Sequence, residues 1–225
     1  MTTTTVTVDV VSDVVCPWCY LGMRNLLQAW SKLGQDAISL YWRPFQLDPT
    51  VPAAGLDRQE YMLGKFGSVE RINSAHDRLK ELGKAVGIAF NFDAIKVAPN
   101  TLDAHRLIYW AGTLSPETQT RLVAALFRSY FEEGRNIGDH EALLAIASEI
   151  GMNTAHARGL LRTDTNRKEV LEAITAAQRM GISGVPCFLL ENRYVISGAQ
   201  PPEVLENAIR QVAEAKANGE LDNGQ

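Results

Sequence analysis

Ser12-Asp13-Val14-Val15-Cys16-Pro17-Trp18-Cys19-Tyr20-Leu21-Gly22 joins a β-branched run to a helical pattern through two cysteines with two residues between them. Upstream, Val6, Val8, Val10 and Val11 partly alternate with Thr7 and Asp9, and the apolar run continues to Val14 and Val15. That pattern predicts a buried strand. Downstream, Tyr20, Met23, Leu26, Leu27, Trp30 and Leu33 recur at the spacing of one helix face, with Gly34 placed to end it. Cys16 therefore falls at a helix N-terminus. There the unpaired N–H groups and the positive end of the dipole favour a thiolate, lowering a thiol pKa from about 8.5 to roughly 3.5–7.5. Two intervening residues also let the sulfurs close a disulfide. Cys16 is the expected nucleophile and Cys19 the resolving thiol. A pair of inert buried thiols and half of a zinc site are the structural alternatives.

Working outward, Ile38–Trp42 reads as a second strand stopped by Arg43-Pro44, so residues 1–50 form β-α-β. Strand signals then vanish until about Gly181, and a helical block (51–181) opens with the linker Val51-Pro52-Ala53-Ala54-Gly55-Leu56-Asp57. Ile72, Ala75, Leu79, Leu82 and Val86 share one face ending at Gly87; Leu122, Val123, Leu126, Phe127, Tyr130 and Phe131 share another ending at Gly134. Ser115-Pro116-Glu117 starts the latter helix, Asp139 starts the next, and Asp164 or Thr165 a further one. Residues 182–217 return to strands: Pro186–Leu190 and Tyr194–Ser197 form a hairpin around Glu191-Asn192-Arg193, and Pro201-Pro202 opens a last helix. Residues 218–225 are expected to be a flexible tail.

Composition bounds the function. Lys plus Arg number 22 against 26 Asp plus Glu in 225 residues, a formal charge of −4 with no basic block, which argues against nucleic acid as a partner. The longest stretch without a charged residue, Met180–Leu190, is far short of the roughly 20 apolar residues that span a bilayer. The opening Met1–Val10 has neither a basic segment nor a continuous apolar one, so no membrane association and a cytoplasmic location are expected. Three cysteines are too few for a disulfide scaffold, which points to chemistry. No GxGxxG or P-loop offers a nucleotide site, and no bound cofactor or metal is expected.

SDVVCPWCYLG (12–22), WRPF (42–45), NTLDAHRL (100–107), GISGVPCFLL (181–190) and ISGAQPPE (196–203) occur in the order found in DsbA-family thioredoxin-like oxidoreductases, and the chain resembles the FrnE-like subgroup from about Val6 to Val212. The resemblance implies an α/β thioredoxin-like fold, β-α-β … β-β-α, with an inserted all-helical domain. It also implies that Val185–Pro186 is a cis peptide facing the dithiol, that the Val185 backbone hydrogen-bonds substrate, and that Pro186 keeps metal from the site. Asn100 and His105 are carried over as substrate-facing by the same analogy, with Phe45 a weaker candidate. Trp18, between the sulfurs, is read as an accessible rim residue that contacts substrate. Two departures stand out: Val10 occupies the position where many thioredoxin-like proteins bury an acid, leaving Asp9 and Asp13 as neighbouring acids, and Cys187 follows the proline where Phe is common. Cys187 should point away from the site as a small core residue. His76, His140 and His156 read as solvated helix positions.

The expected activity is thiol–disulfide exchange on a protein or small-molecule substrate, with glutathione or another thiol as the redox partner. The alternative is a glutathione-dependent isomerase or kappa-class-like glutathione transferase, which needs one activated thiol position rather than two. A zinc-bound module using Cys16, Cys19 and Cys187 is the non-enzymatic rival. Substrate, redox direction, the proton carrier for Cys19 and oligomeric state are left open by the sequence.

Overall fold

The computed structural model describes residues 4–34 and 36–221. The last four residues of the expected tail lie outside that range, and those before them, through Leu221, fold back in a turn that follows the final helix. The elements are β1 (Val6–Ser12), α1 (Pro17–Leu33), β2 (Ile38–Pro44), β3 (Leu56–Asp57), α2 (Arg58–Phe66), α3 (Val69–Ala85), β4 (Val97–Ala98), α4 (Leu102–Leu114), α5 (Pro116–Phe131), α6 (His140–Glu149), α7 (Thr154–Leu161), α8 (Arg167–Arg179), β5 (Cys187–Leu190), β6 (Tyr194–Ser197) and α9 (Pro202–Ala217). No helix among the described residues is long and apolar enough to cross a membrane.

The main sheet runs β2-β1-β5-β6, with β2 parallel and β5 antiparallel to β1, and β6 antiparallel to β5. Alternation along β1 divides its side chains. Val6, Val8 and Val10 enter the large core with Leu40, Trp42 and Phe188, while Val11 joins Phe45, Ala177, Ile182, Cys187 and Leu189 on the other face. Glu191 and Asn192, both at positive φ, make the tight hairpin turn that the short spacer requires.

Several expectations about element ends need correction. β1 stops at Ser12, because the Asp13 carbonyl accepts the Cys16 N–H (3.0 Å) and turns Val14-Val15 out of the ladder. β2 extends through Pro44, which an edge strand tolerates. The helical block also contains the two-stranded β3–β4 ribbon, a contact between segments some forty residues apart that no local pattern announces. On α3, Gly83 rather than Leu82 faces inward: a Cβ at Gly83 would meet the Phe90 ring at 2.7 Å, and Leu82 is exposed. α8 begins after Asn166, in the left-handed region, instead of at Asp164 or Thr165. Arg106, fully buried, holds that loop by donating to the carbonyls of Leu160, Thr163 and Thr165 at 2.9, 2.5 and 2.9 Å.

Helices and sheet share one core. Tyr20 of α1 stacks on Phe127 of α5 at 5.1 Å, and Gln119 of α5 binds the outer edge of β2, accepting the Trp42 N–H (2.9 Å) and donating to its carbonyl (3.3 Å). The edge strand is thus covered by a helix side chain. This packing sets α2 and α3 beside the start of α1.

Candidate functional site

Cys16 is the N-cap of α1, with Pro17 at the first helical position, where a missing N–H costs nothing. Its carbonyl accepts from the N–H groups of Cys19 and Tyr20 (3.0 and 3.2 Å), while its side chain caps nothing and is left for chemistry. The thiol stands 3.7 Å from the Val185 carbonyl, across from the β5 entry, and the Val185–Pro186 peptide is cis. Gly22 lets that loop approach: a Cβ there would lie 2.8 Å from Pro186 Cγ.

The two thiols differ electrostatically. Donation from the Cys19 thiol, joined by the backbone N–H groups of Cys19 and Trp18, lowers the Cys16 pKa against the opposing effects of burial and the Asp13 charge. Burial raises Cys19 well above the ordinary cysteine range, and the neighbouring Cys16 sulfur raises it further. The first thiol is thereby set to ionise and the second to hold its proton.

Trp18 is 37% exposed, with the Arg78 guanidinium 5.6 Å from its ring centroid. It stands with Asp13, Cys16 and Val185 on the wall of a cavity of about 800 Å3 that runs between the start of α1 and helices α2 and α3. Arg58, Lys65, Arg71 and Arg78 line it against Asp13, Asp48 and Glu70, with aromatic walls from Tyr61, Phe66, Phe92 and Tyr130. Burial and the Asp48 carboxylate push the Tyr61 phenol to about 12.

Asn100 and His105 do not line this cavity, contrary to the analogy. Asn100 Oδ1 accepts the Leu102 N–H (2.9 Å) and its amide donates to the Val51 carbonyl (2.6 Å), so its polar groups are spent holding the start of α4. His105 is 3% exposed, and its Nε2 lies 3.3 Å from Asp13 Oδ1. Phe45 packs with Cys187 on the opposite sheet face.

Asp13 is the buried acid of the site, a role the sequence left open between it and Asp9. Its Oδ2 accepts the Leu47 N–H (2.8 Å) while Oδ1 meets His105; Asp9 instead pairs with Arg43 (2.5 Å). Cys187 belongs to the far-face cluster, away from the pair, so the three sulfurs do not share a site. His140 is 41% exposed, as expected of a solvated helix position, and also pairs with Asp103 (2.7 Å). His76, also expected to face solvent, lies on the cavity wall and stacks on Phe92 at 4.0 Å. The i, i+4 pattern of α3 could place His76 beside the buried positions but carried no sign of Phe92.

The model of the DSBA-like thioredoxin domain matches residues 7–210. The chain belongs to that family. Its sheet and helices are thus those of a thioredoxin-like fold carrying inserted helices, and the family acts by thiol–disulfide chemistry on thiol or disulfide substrates. Among family relatives, the uncharacterized protein YwbO of Bacillus subtilis is 29% identical over 91% of this chain and 96% of its own length. A probable DsbA oxidoreductase of Streptomyces coelicolor superposes with a TM-score of 0.82 at 29% identity, covering 92% of this chain and 89% of that one. The cytosolic disulfide reductase DsbM of Pseudomonas aeruginosa, in its structure with GSH, shares the fold at TM-score 0.62 and 19% identity, over 91% and 98% of the two chains.

Proposed function

We propose that this protein is a FrnE-like thiol–disulfide oxidoreductase in which Cys16 and Cys19 cycle between dithiol and disulfide. The observation that carries the reading is the asymmetry of the pair: Cys16 is lowered by Cys19 and by helix N–H groups at the mouth of a cavity, and Cys19 is buried behind it. In the reductive direction the Cys16 thiolate attacks one substrate sulfur, forming a mixed disulfide and expelling one thiolate. Cys19 then loses its proton and attacks Cys16 Sγ, expelling the second. The dithiol gives up two electrons and two protons, and the substrate disulfide becomes two thiols. Reversal of these steps oxidises a dithiol substrate.

In this reading residues 51–181 form a helical domain inserted between 1–50 and 182–217, and its helices shape substrate access. Trp18 and the Val185 backbone contact substrate, with Pro186 opposite the dithiol. The activity needs no bound cofactor. Glutathione serves as the recycling thiol and the cytoplasm as the compartment, in keeping with the GSH-bound cytosolic DsbM of the same fold. The partnership of Cys19 with Cys16 favours redox cycling over the transferase alternative, which leaves the second thiol without a task.

The test is equilibration with graded reduced and oxidised glutathione, followed by acid quenching, alkylation and mass measurement, with Cys16→Ser as control. A reversible two-electron transition between Cys16 and Cys19 is expected. Independent alkylation of both thiols across the whole range would remove the redox reading.

A further inference from the structure

Ser12 ends β1, and its hydroxyl is buried without a hydrogen-bond partner among the described residues. Strand alternation puts it on the face of Val8 and Val10, which enter the core that also holds Cys16 and Cys19, whereas Val11 points to the opposite face with Cys187. The backbone on either side is fixed: the Ser12 carbonyl accepts the Phe45 N–H (3.0 Å), and the Asp13 carbonyl accepts the Cys16 N–H (3.0 Å) in the turn that leads into α1. Neither Ser12 nor Cys19 lines the cavity that Cys16 faces, so the group this hydroxyl serves is the resolving thiol and not the substrate. A buried hydroxyl left unpaired destabilises the resting protein, and its retention calls for a state in which it is paired.

Cys19 supplies that state. Burial and then the Cys16 sulfur hold its proton, while the Ser12 hydroxyl and the Asp13 N–H favour its thiolate. The Asp13 carboxylate is engaged by the Leu47 N–H and His105. In the dithiol Cys19 donates to the Cys16 sulfur. Once Cys16 is tied up in a mixed disulfide, Cys19 must carry the negative charge itself. We propose that the Ser12 hydroxyl and the Asp13 N–H together form a donor site for the Cys19 thiolate, and that Ser12 thereby speeds the step in which Cys19 displaces the substrate from Cys16. In that step the Cys19–Cys16 bond forms as the bond from Cys16 to the substrate sulfur breaks. The electron pair of the broken bond leaves with the substrate sulfur, and the proton lost by Cys19 ends there, so a mixed disulfide and a thiol become a protein disulfide and a substrate thiol. Ser12 keeps its own proton throughout. A donor that the neutral thiol leaves unpaired and the thiolate pairs lowers the barrier, because its bond is made only as the charge develops.

The inference rests on the exchange reading for its effect on rate and on the pairing of Ser12 with Cys19 alone for its effect on the thiolate. Two measurements keep those dependences apart. In the first, reduced protein is mixed with one equivalent of 5,5′-dithiobis(2-nitrobenzoate) in stopped flow: the first coloured thiolate released reports attack by Cys16, and the second reports displacement by Cys19. Ser12→Ala should slow the second phase about tenfold near neutral pH, the effect of one hydrogen bond to a charged group of about 1.4 kcal/mol, move its pH midpoint upward and leave the first phase unchanged. A second phase at the wild-type rate, or one slowed with its pH midpoint unmoved, overturns the inference. In the second, alkylation of Cys19 by iodoacetamide is followed by peptide mass against pH in Cys16→Ala, which removes the titratable neighbour, with and without Ser12→Ala. A midpoint raised by loss of the hydroxyl supports the donor site even if wild type releases only one coloured thiolate, a result that would sink only the redox reading. An unmoved midpoint overturns the donor site even with redox cycling intact. Should Ser12→Ala fold poorly, Ser12→Thr, which keeps the hydroxyl, and Ser12→Val, which puts a methyl in its place, must differ from each other in the same way.

Discussion

Replacing Gly22 with alanine tests whether the contact between α1 and the Pro186 loop sets the geometry of the dithiol. In an ordinary helix the change stabilises by about 1 kcal/mol, because alanine loses less backbone entropy than glycine. Here the new Cβ would sit 2.8 Å from Pro186 Cγ and 3.2 Å from Phe188 Cζ. Comfortable carbon contacts begin near 3.5 Å, so Pro186 must retreat by about 0.7 Å. The pyrrolidine ring cannot swing aside as a flexible side chain would, being tied to the backbone that leads into β5 and the Val11–Cys187 pairing. Overpacking of this kind costs about 1–3 kcal/mol, which outweighs the helix gain and leaves a net loss of about 1 kcal/mol. At roughly 2–4 °C per kcal/mol for a chain of this size, Tm should fall by about 2–4 °C. Moving the Val185 carbonyl away from the Cys16 thiol should also slow disulfide exchange, on the order of tenfold. Gly64→Ala in α2 and Gly159→Ala in α7 are the controls, since a Cβ at either meets no atom within 4 Å. They should gain stability and leave the exchange rate alone. Thermal unfolding followed by circular dichroism and stopped-flow exchange read both effects. A Gly22→Ala protein that melts higher, like the controls, and exchanges at the wild-type rate would refute the reasoning.

In the reduced protein, thiolate absorbance should show Cys16 ionising below the free-cysteine range, and Cys19→Ala should move that transition upward, because Cys19 donation is the largest lowering influence; an unmoved midpoint contradicts the arrangement. Asp13→Asn should shift it in the opposite sense, since the Asp13 charge opposes the Cys16 thiolate, and faster alkylation at pH 6 is the readout. The burial that raises the folded pKa of Cys19 makes stability greatest below the unfolded value of about 8.5 and lost as pH rises above it. Urea unfolding of Cys16→Ser should therefore weaken between pH 7.5 and 10 more than that of Cys16→Ser/Cys19→Ala, and equal slopes would count against a buried, protonated Cys19. Arg106→Ala should cost about 3–5 kcal/mol by leaving the Leu160, Thr163 and Thr165 carbonyls without their buried donor, a loss measurable by urea denaturation; a cost below 1 kcal/mol would show the loop holds itself.

The residues within NTLDAHRL show how a motif can be legible while its roles are not. Asn100 is of a residue type that starts helices, and it does accept the Leu102 N–H, but nothing local indicates that its amide also ties down Val51. His105 and Arg106 are polar residues inside an amphipathic pattern, for which solvent or cleft are the readings that periodicity permits. Both are buried because partners distant in sequence, Asp13 for one and the α7–α8 loop for the other, take up their hydrogen bonds. His76 failed the opposite way: its ring left the solvated face because Phe92 offered a stacking surface.

The chain's local chemistry determined the β-α-β start, the helix capped by Cys16, the Ser115 and Asp139 caps and the β5–β6 hairpin, because capping, turn conformation and hydrophobic period act between residues a few positions apart. Tertiary structure alone decided what surrounds the thiols. Asp13, and not the equally buried Asp9, lines the cavity beside Cys16, Asn100 and His105 lie off the cavity wall while His76 lies on it, and α2 and α3 became the walls of the space that Cys16 faces. These outcomes follow from which helix packs against which strand, a balance of apolar burial and hydrogen bonding among residues tens of positions apart that no short window of sequence contains.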